Sequence, residues 1–98
     1  MKSNVAVIGA GSWGTALANL LSENGNQVKI YARDAEVVNS INKENLNYKY
    51  FPEHKLNNNL TAYNNLDDCL RNTEVVVISV PTSAVKEVLK TSQDLISQ

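Results

Sequence analysis

Scarcity is informative in this sequence. Its 98 residues include one cysteine, Cys69, and one histidine, His54. A single cysteine excludes an internal disulfide and any cysteine-cluster metal site. Cys69 shares an apolar-periodic segment with Leu66 and Leu70, so it reads as a small buried side chain rather than a reactive thiol. The carboxylates are scattered and the lone histidine has no partner, so neither a metal site nor a Ser-His-Asp arrangement can be assembled. His54 reads as a solvated loop residue. No apolar run approaches the roughly 18 residues that a membrane-spanning helix needs. Nine basic residues against ten acidic ones leave a net charge of -1, which recommends neither nucleic acid nor an acidic membrane as a partner. Met1-Lys2-Ser3 leads straight into an apolar run with no room for a signal peptide, so the expected compartment is the cytoplasm.

Glycine is also scarce, with four copies, and three of them fall in Gly9-Ala10-Gly11-Ser12-Trp13-Gly14. This stretch lies between the apolar run Val5-Ala6-Val7-Ile8 and a helical pattern from Thr15 to Glu23. Gly-x-Gly-x-x-Gly between a strand and a helix is the dinucleotide-binding fingerprint, and each glycine has a mechanical role. Gly9 makes the tight turn, Gly11 lets a pyrophosphate approach the backbone, and Gly14 lets the helix pack closely on the strand. The helix then turns its free N–H groups and positive dipole end toward the phosphates.

The remaining pattern alternates strand and helix. Ala16, Leu17, Leu20 and Leu21 share one face of the first helix, which Gly25 ends as a left-handed cap. Gln27 to Ala32 forms a second strand, with Val28 and Ile30 on one face and Tyr31 on the other. Asp34 is placed to cap a second helix whose apolar stripe is Val37, Val38 and Ile41. Leu46 to Asn59 is irregular. Leu60 to Tyr63 suits a short third strand, and Leu66 to Arg71 a brief helix. Glu74 to Val80 holds the strongest apolar run, and Thr82 starts a helix with Val85, Val88 and Leu89 on its core face. Fourteen asparagines, three of them consecutive at Asn57 to Asn59, read as the mark of an AT-rich genome in a residue that turns tolerate.

These elements predict an α/β domain over residues 1–98. It is a partial Rossmann-type, doubly wound parallel sheet of four strands in the order 3-2-1-4. Val75 to Val80 would then lie at an edge without the charge or proline that usually blunts one, so at least one further strand is expected to follow in the parent protein. No substrate domain is contained in these residues.

Candidate cofactor contacts follow from this frame. Ser12 suits a phosphate oxygen through its hydroxyl and N–H. Trp13 either faces the mouth of the pocket or packs as core. Cofactor choice is read about 20 residues past the glycines, where an NAD site carries an acid for the ribose 2′-hydroxyl. That position is Ala32, followed by Arg33, a pair that suits a 2′-phosphate and so favours NADP over NAD. The competing reading makes Asp34 the ribose-binding acid. Val80 and Pro81, beside the fingerprint at the end of the last strand, are expected to line the cofactor channel. Tyr48, Tyr50 and Phe51 either close over the adenine or pack beneath their loop.

The run Gly9-Ala10-Gly11-Ser12-Trp13-Gly14-Thr15-Ala16-Leu17-Ala18 resembles the amino-terminal part of bacterial-type NAD(P)-dependent glycerol-3-phosphate dehydrogenases. The likeness continues through Tyr31-Ala32-Arg33, Asn47-Tyr48-Lys49-Tyr50-Phe51-Pro52 and Ser79-Val80-Pro81-Thr82. The resemblance implies reversible reduction of dihydroxyacetone phosphate to sn-glycerol 3-phosphate, feeding phospholipid synthesis, with Ser12, Trp13, Arg33 and Tyr50 as cofactor contacts. It also implies catalytic lysines and a helical substrate domain beyond Gln98, so no catalytic residue is named within the 98 and the fragment alone is expected to be inactive. A homodimer is left open. Two other functions fit the same residues: a non-catalytic dinucleotide-sensing module, and a dehydrogenase of the same superfamily acting on another hydroxy or sugar acid.

Overall fold

A computed structural model describes residues 2–79 of the chain. The elements run β1 (Asn4–Ile8), α1 (Ser12–Glu23), β2 (Gln27–Tyr31), α2 (Ala35–Glu44), β3 (Leu60–Tyr63), α3 (Leu66–Leu70) and β4 (Val75–Ile78). The strands form one sheet in the order β3-β2-β1-β4, and all three pairings are parallel. This is the expected partial Rossmann sheet. The helix expected from Thr82 lies outside the described residues.

Strand alternation builds two cores. On one face, Val5 and Val7 of β1 meet Val28 and Ile30 of β2 and Leu60 and Ala62 of β3, under Ala18 of α1 and Val37 and Ile41 of α2. On the other face, Ala6 and Ile8 meet Cys69 and Leu70 of α3, with Tyr31, Tyr63, Val76 and Ile78 packed around them. A strand clad on both sides can be apolar throughout, which accounts for the unbroken Val5–Ile8 run. The stripe expected on α2 packs as read: Val37 and Ile41 are buried and Val38 lies against the same core.

The expectation for α1 needs correction. Its inward face is Gly14, Thr15, Ala18 and Ser22, while Leu20 is 56% exposed and Trp13 76%. The apolar residues at 13, 16, 17 and 20 look outward or lie half-buried, and only Leu21 of the predicted set packs against the core. The cause is steric. Small residues on the inner face allow close approach, and a Cβ on Gly14 would stand 2.2 Å from the Gly9 carbonyl oxygen. Gly14 must therefore face the turn, and this sets the rotation of the whole helix.

The asparagines also have structural work. Asn45 ends α2 with φ 55°, and Asn72 follows α3 with φ 59°. Both occupy the left-handed region that asparagine tolerates better than most residues. Asn65 caps α3, its side chain accepting from the Asp68 N–H at 3.1 Å. Asn42 bridges α2 to β3 by bonding both the N–H and the carbonyl of Ala62. The first helix ends as expected. Gly25 has φ 95°, and the N–H groups of Gly25 and Asn26 return to the Ser22 and Leu21 carbonyls. That is the pattern of a Schellman turn.

Candidate functional site: the glycine turn at the centre of the sheet

β1 lies between β2 and β4, where the chain reverses its direction of travel across the sheet. Ligands of open α/β sheets bind outside the carboxyl ends of the strands at such a switch point. Gly9 sits at that end of β1. Its N–H donates to the Tyr31 carbonyl at 3.1 Å, and the Ser79 N–H donates to the Ile8 carbonyl at 2.8 Å, so strand pairing holds the turn from both sides. Gly9 has φ 116°, which a residue with a side chain rarely adopts.

Each fingerprint glycine has a distinct surrounding. Gly14 is packed against the Gly9 carbonyl and near the Ser79 hydroxyl. Gly11 is the opposite case: a Cβ there would meet nothing within 4 Å, and its φ of -72° suits any residue. Among the described residues nothing requires glycine at 11. The open space over that backbone is where a pyrophosphate would need to come close, so the residues present fit a dinucleotide.

The start of α1 adds to this fit. Gly11 is its N-cap, with no side-chain cap and no acidic residue in the first turn. The other two long-range crossovers differ: α2 is capped by Asp34 with Glu36 behind it, and α3 by Asn65 with Asp67 and Asp68. Free N–H groups and an unopposed positive dipole end favour an anion at the glycine turn.

The expected contacts fall into three groups. Ser12 and Trp13 open α1 beside the turn. The 76% exposure of Trp13 excludes the core reading of that residue. The Ser12 hydroxyl does not stand free as expected, because it donates to the Tyr50 carbonyl at 2.7 Å. What remains for an anion is its backbone N–H. Arg33 follows buried Ala32 at the end of β2, is exposed, and has no salt bridge among the described residues. Val80 and Pro81 lie outside the described residues, although Ser79, directly before them, stands against Gly14.

Asp34 is the helix cap. Its Oδ1 accepts from the Glu36 N–H at 2.9 Å, and its Oδ2 pairs with Lys49 Nζ at 3.0 Å. The hydrogen bond from Lys49, helped by that from Glu36, holds its carboxyl below the ordinary range, and the same pairing raises Lys49. Close by, the Tyr48 hydroxyl donates to Glu36 at 2.8 Å, which raises the tyrosine.

The aromatic loop divides between its two readings. Phe51 packs against the core and stacks on His54 with ring centres 5.3 Å apart. Tyr48 and Tyr50 are each 44% exposed. His54 is exposed, as expected of a loop residue. What sequence reading missed is Asn47, which is fully buried and bonded to both Ala10 and Thr15. Its only sequence signal is an asparagine directly before the aromatic cluster.

No helix among the described residues is long and apolar enough to cross a membrane. Comparison with known proteins agrees with the geometry. The family model described as the N-terminus of NAD-dependent glycerol-3-phosphate dehydrogenase matches residues 4–98. Over 88 residues the chain is 42% identical to glycerol-3-phosphate dehydrogenase [NAD(P)+] of Lactiplantibacillus plantarum, covering 90% of this chain and 26% of that protein. Over 87 residues it is 44% identical to the Geobacillus thermodenitrificans enzyme of the same name, covering 89% of this chain and 25% of the relative. The chain thus spans about a quarter of the length of these relatives. A crystal structure of glycerol-3-phosphate dehydrogenase from Coxiella burnetii superposes with a TM-score of 0.88 at 34% identity, covering 96% of this chain and 29% of that one. The turn at Gly9–Gly14, the 3-2-1-4 sheet and the match over residues 4–98 together place this chain in the NAD-dependent glycerol-3-phosphate dehydrogenase family, as its N-terminal part.

Proposed function

We propose that the chain is the cofactor-binding part of an NAD(P)-dependent glycerol-3-phosphate dehydrogenase. The whole protein interconverts dihydroxyacetone phosphate and sn-glycerol 3-phosphate, a step that supplies phospholipid synthesis. The observation that carries this reading is Gly11, a glycine that no contact among the described residues requires, at the uncapped start of α1. The relatives' names supply the substrate.

In this reading each residue binds or orients. Gly9 and Gly14 hold the turn, Gly11 admits the pyrophosphate, and the N–H groups of Ser12 and Trp13 face it. Arg33 takes the 2′-phosphate, so NADP is preferred and NAD is also used. Tyr50 borders the cofactor, and Val80 and Pro81 line its channel. The bound nicotinamide supplies or accepts a hydride. The residues that bind the ketone and move its proton lie beyond Gln98, after the next strand and in the helical substrate domain of the longer protein, which acts in the cytoplasm as a homodimer.

The test is direct. The full-length protein is titrated with NADPH and NADH, then assayed for oxidation of each with dihydroxyacetone phosphate. Tighter NADPH binding and turnover of this ketone are expected. Binding without turnover would instead indicate a dinucleotide sensor, and turnover only with a keto acid or an oxidised sugar acid would indicate a different substrate class.

A further inference from the structure

Asn47 is the one fully buried amide side chain among the described residues, and it lies 37 residues from the turn it touches. Its Nδ2 donates to the Ala10 carbonyl at 2.9 Å and to the Thr15 hydroxyl oxygen at 2.8 Å. Its Oδ1 accepts from the Tyr50 N–H at 3.1 Å, and its own carbonyl accepts from the Phe51 N–H at 2.9 Å. The amide orientation is set by chemistry: the Ala10 carbonyl only accepts and the Tyr50 N–H only donates.

The bond to Ala10 has a consequence for the next residue. The Ala10 carbonyl and the Gly11 N–H belong to one planar trans peptide and point in opposite directions. Holding the carbonyl inward on Asn47 turns the Gly11 N–H away from the core. Gly11 is also the residue least able to hold its own conformation, because it lacks a Cβ and has nothing within 4 Å of where one would stand. A second strut joins the same two segments, the Ser12 hydroxyl on the Tyr50 carbonyl. The far side of the 47–51 turn is tied to α2 through Tyr48 with Glu36 and Lys49 with Asp34.

We propose that Asn47 is a positioning residue for the cofactor: it fixes the Ala10–Gly11 peptide so that the phosphate-binding turn is formed before the dinucleotide arrives. Through it, the 47–51 turn couples the fingerprint to the segment beside Arg33. This rests on the cofactor-binding function proposed above. Preorganisation of this kind removes an ordering cost that binding would otherwise carry.

The pyrophosphate is common to both cofactors, so the role has a recognisable signature. In the full-length protein, Asn47→Ala is expected to raise Kd for NADPH and for NADH by the same factor, about tenfold, the size of one lost buried hydrogen bond. Cofactor KM rises with it, while kcat at saturation and KM for dihydroxyacetone phosphate stay within about twofold of wild type, the usual scatter of a small free-energy difference. Thr15→Val keeps the packing and removes only one of the two partners, and should show the same pattern at about threefold, a smaller share of the same energy. If Asn47→Ala does not fold, Thr15→Val decides by the same measurements. Unchanged cofactor Kd in the folded variant, loss of kcat, or a loss confined to one cofactor overturns the proposal. If wild-type protein binds neither dinucleotide, the proposed function itself fails; if wild type binds and the variants do not show the split, only the role of Asn47 fails.

Discussion

Gly14 faces Gly9 so closely that a single methyl group on it would lie 2.2 Å from the Gly9 carbonyl oxygen. Gly11, three residues earlier, has open space where its own Cβ would stand. The same residue type therefore serves folding at one position and ligand access at the other. Gly14→Ala should lower stability by roughly 3 kcal/mol, the upper end for overpacking, because the obstacle is backbone. Gly11→Ala should change stability by less than about 1 kcal/mol, the range of a helix N-cap exchange. It should nevertheless weaken NADPH and NADH binding on the order of tenfold, the worth of about one lost hydrogen bond to the pyrophosphate. Chemical denaturation paired with cofactor titration reads both. Equal effects of the two substitutions on stability would reject the division.

Arg33 is exposed beside an Asp34 whose carboxylate already serves Lys49 and the start of α2. It is thus available to a ligand. Arg33→Ala should weaken NADPH binding about 10- to 100-fold, the worth of charge-assisted hydrogen bonds, and NADH binding less than about twofold. Calorimetric titration with the two cofactors measures the ratio. Equal losses would show that Arg33 does not read the 2′-phosphate.

Cys69 is fully buried, and burial pushes its thiol from an ordinary 9.0 up to about 12. The folded state therefore retains a proton that the unfolded state releases first. Its contribution to stability is intact below pH 9.0 and is lost as pH rises toward about 12. Between those values wild-type protein should lose stability more steeply with pH than Cys69→Ala, whose own cost is a pH-independent cavity. Parallel stability profiles would show that the thiol does not titrate there. Alkylation of native protein at neutral pH should be slow and should accelerate with denaturant.

β4 pairs with β1 and with no other strand among the described residues, and Val75 is 47% exposed although the strand reads Val-Val-Val-Ile. An apolar edge is a place for another strand. A longer chain carrying the next strand should denature at higher urea concentration than residues 1–98 and stay monomeric at concentrations where the shorter one associates. Equal midpoints and equal mass in solution would remove the expectation.

Much of this protein is written in local pattern. The apolar runs at Val5–Ile8 and Val75–Ile78, the alternation of Val28 and Ile30 with Tyr31, and the capping positions Asp34 and Gly25 are each specified by neighbours in sequence. Strand order follows from the right-handed crossovers those elements impose. Gly9, Gly11 and Gly14 were legible for the same reason, since a strand, a turn and a helix lie within 20 residues of one another. Other features depended on tertiary contact. The periodicity of α1 assigns Leu17 and Leu20 inward, but the steric fit of Gly14 to Gly9 turns Thr15 and Ala18 inward instead. Phe51 and Tyr50 are adjacent aromatics, yet one joins the core and the other remains exposed. Asn47 is one asparagine among fourteen until the fold carries it to Ala10 and Thr15. Periodicity reports which face of an element is apolar; it carries no information about a polar pairing made across 37 residues, which exists only once the sheet has brought the two segments together.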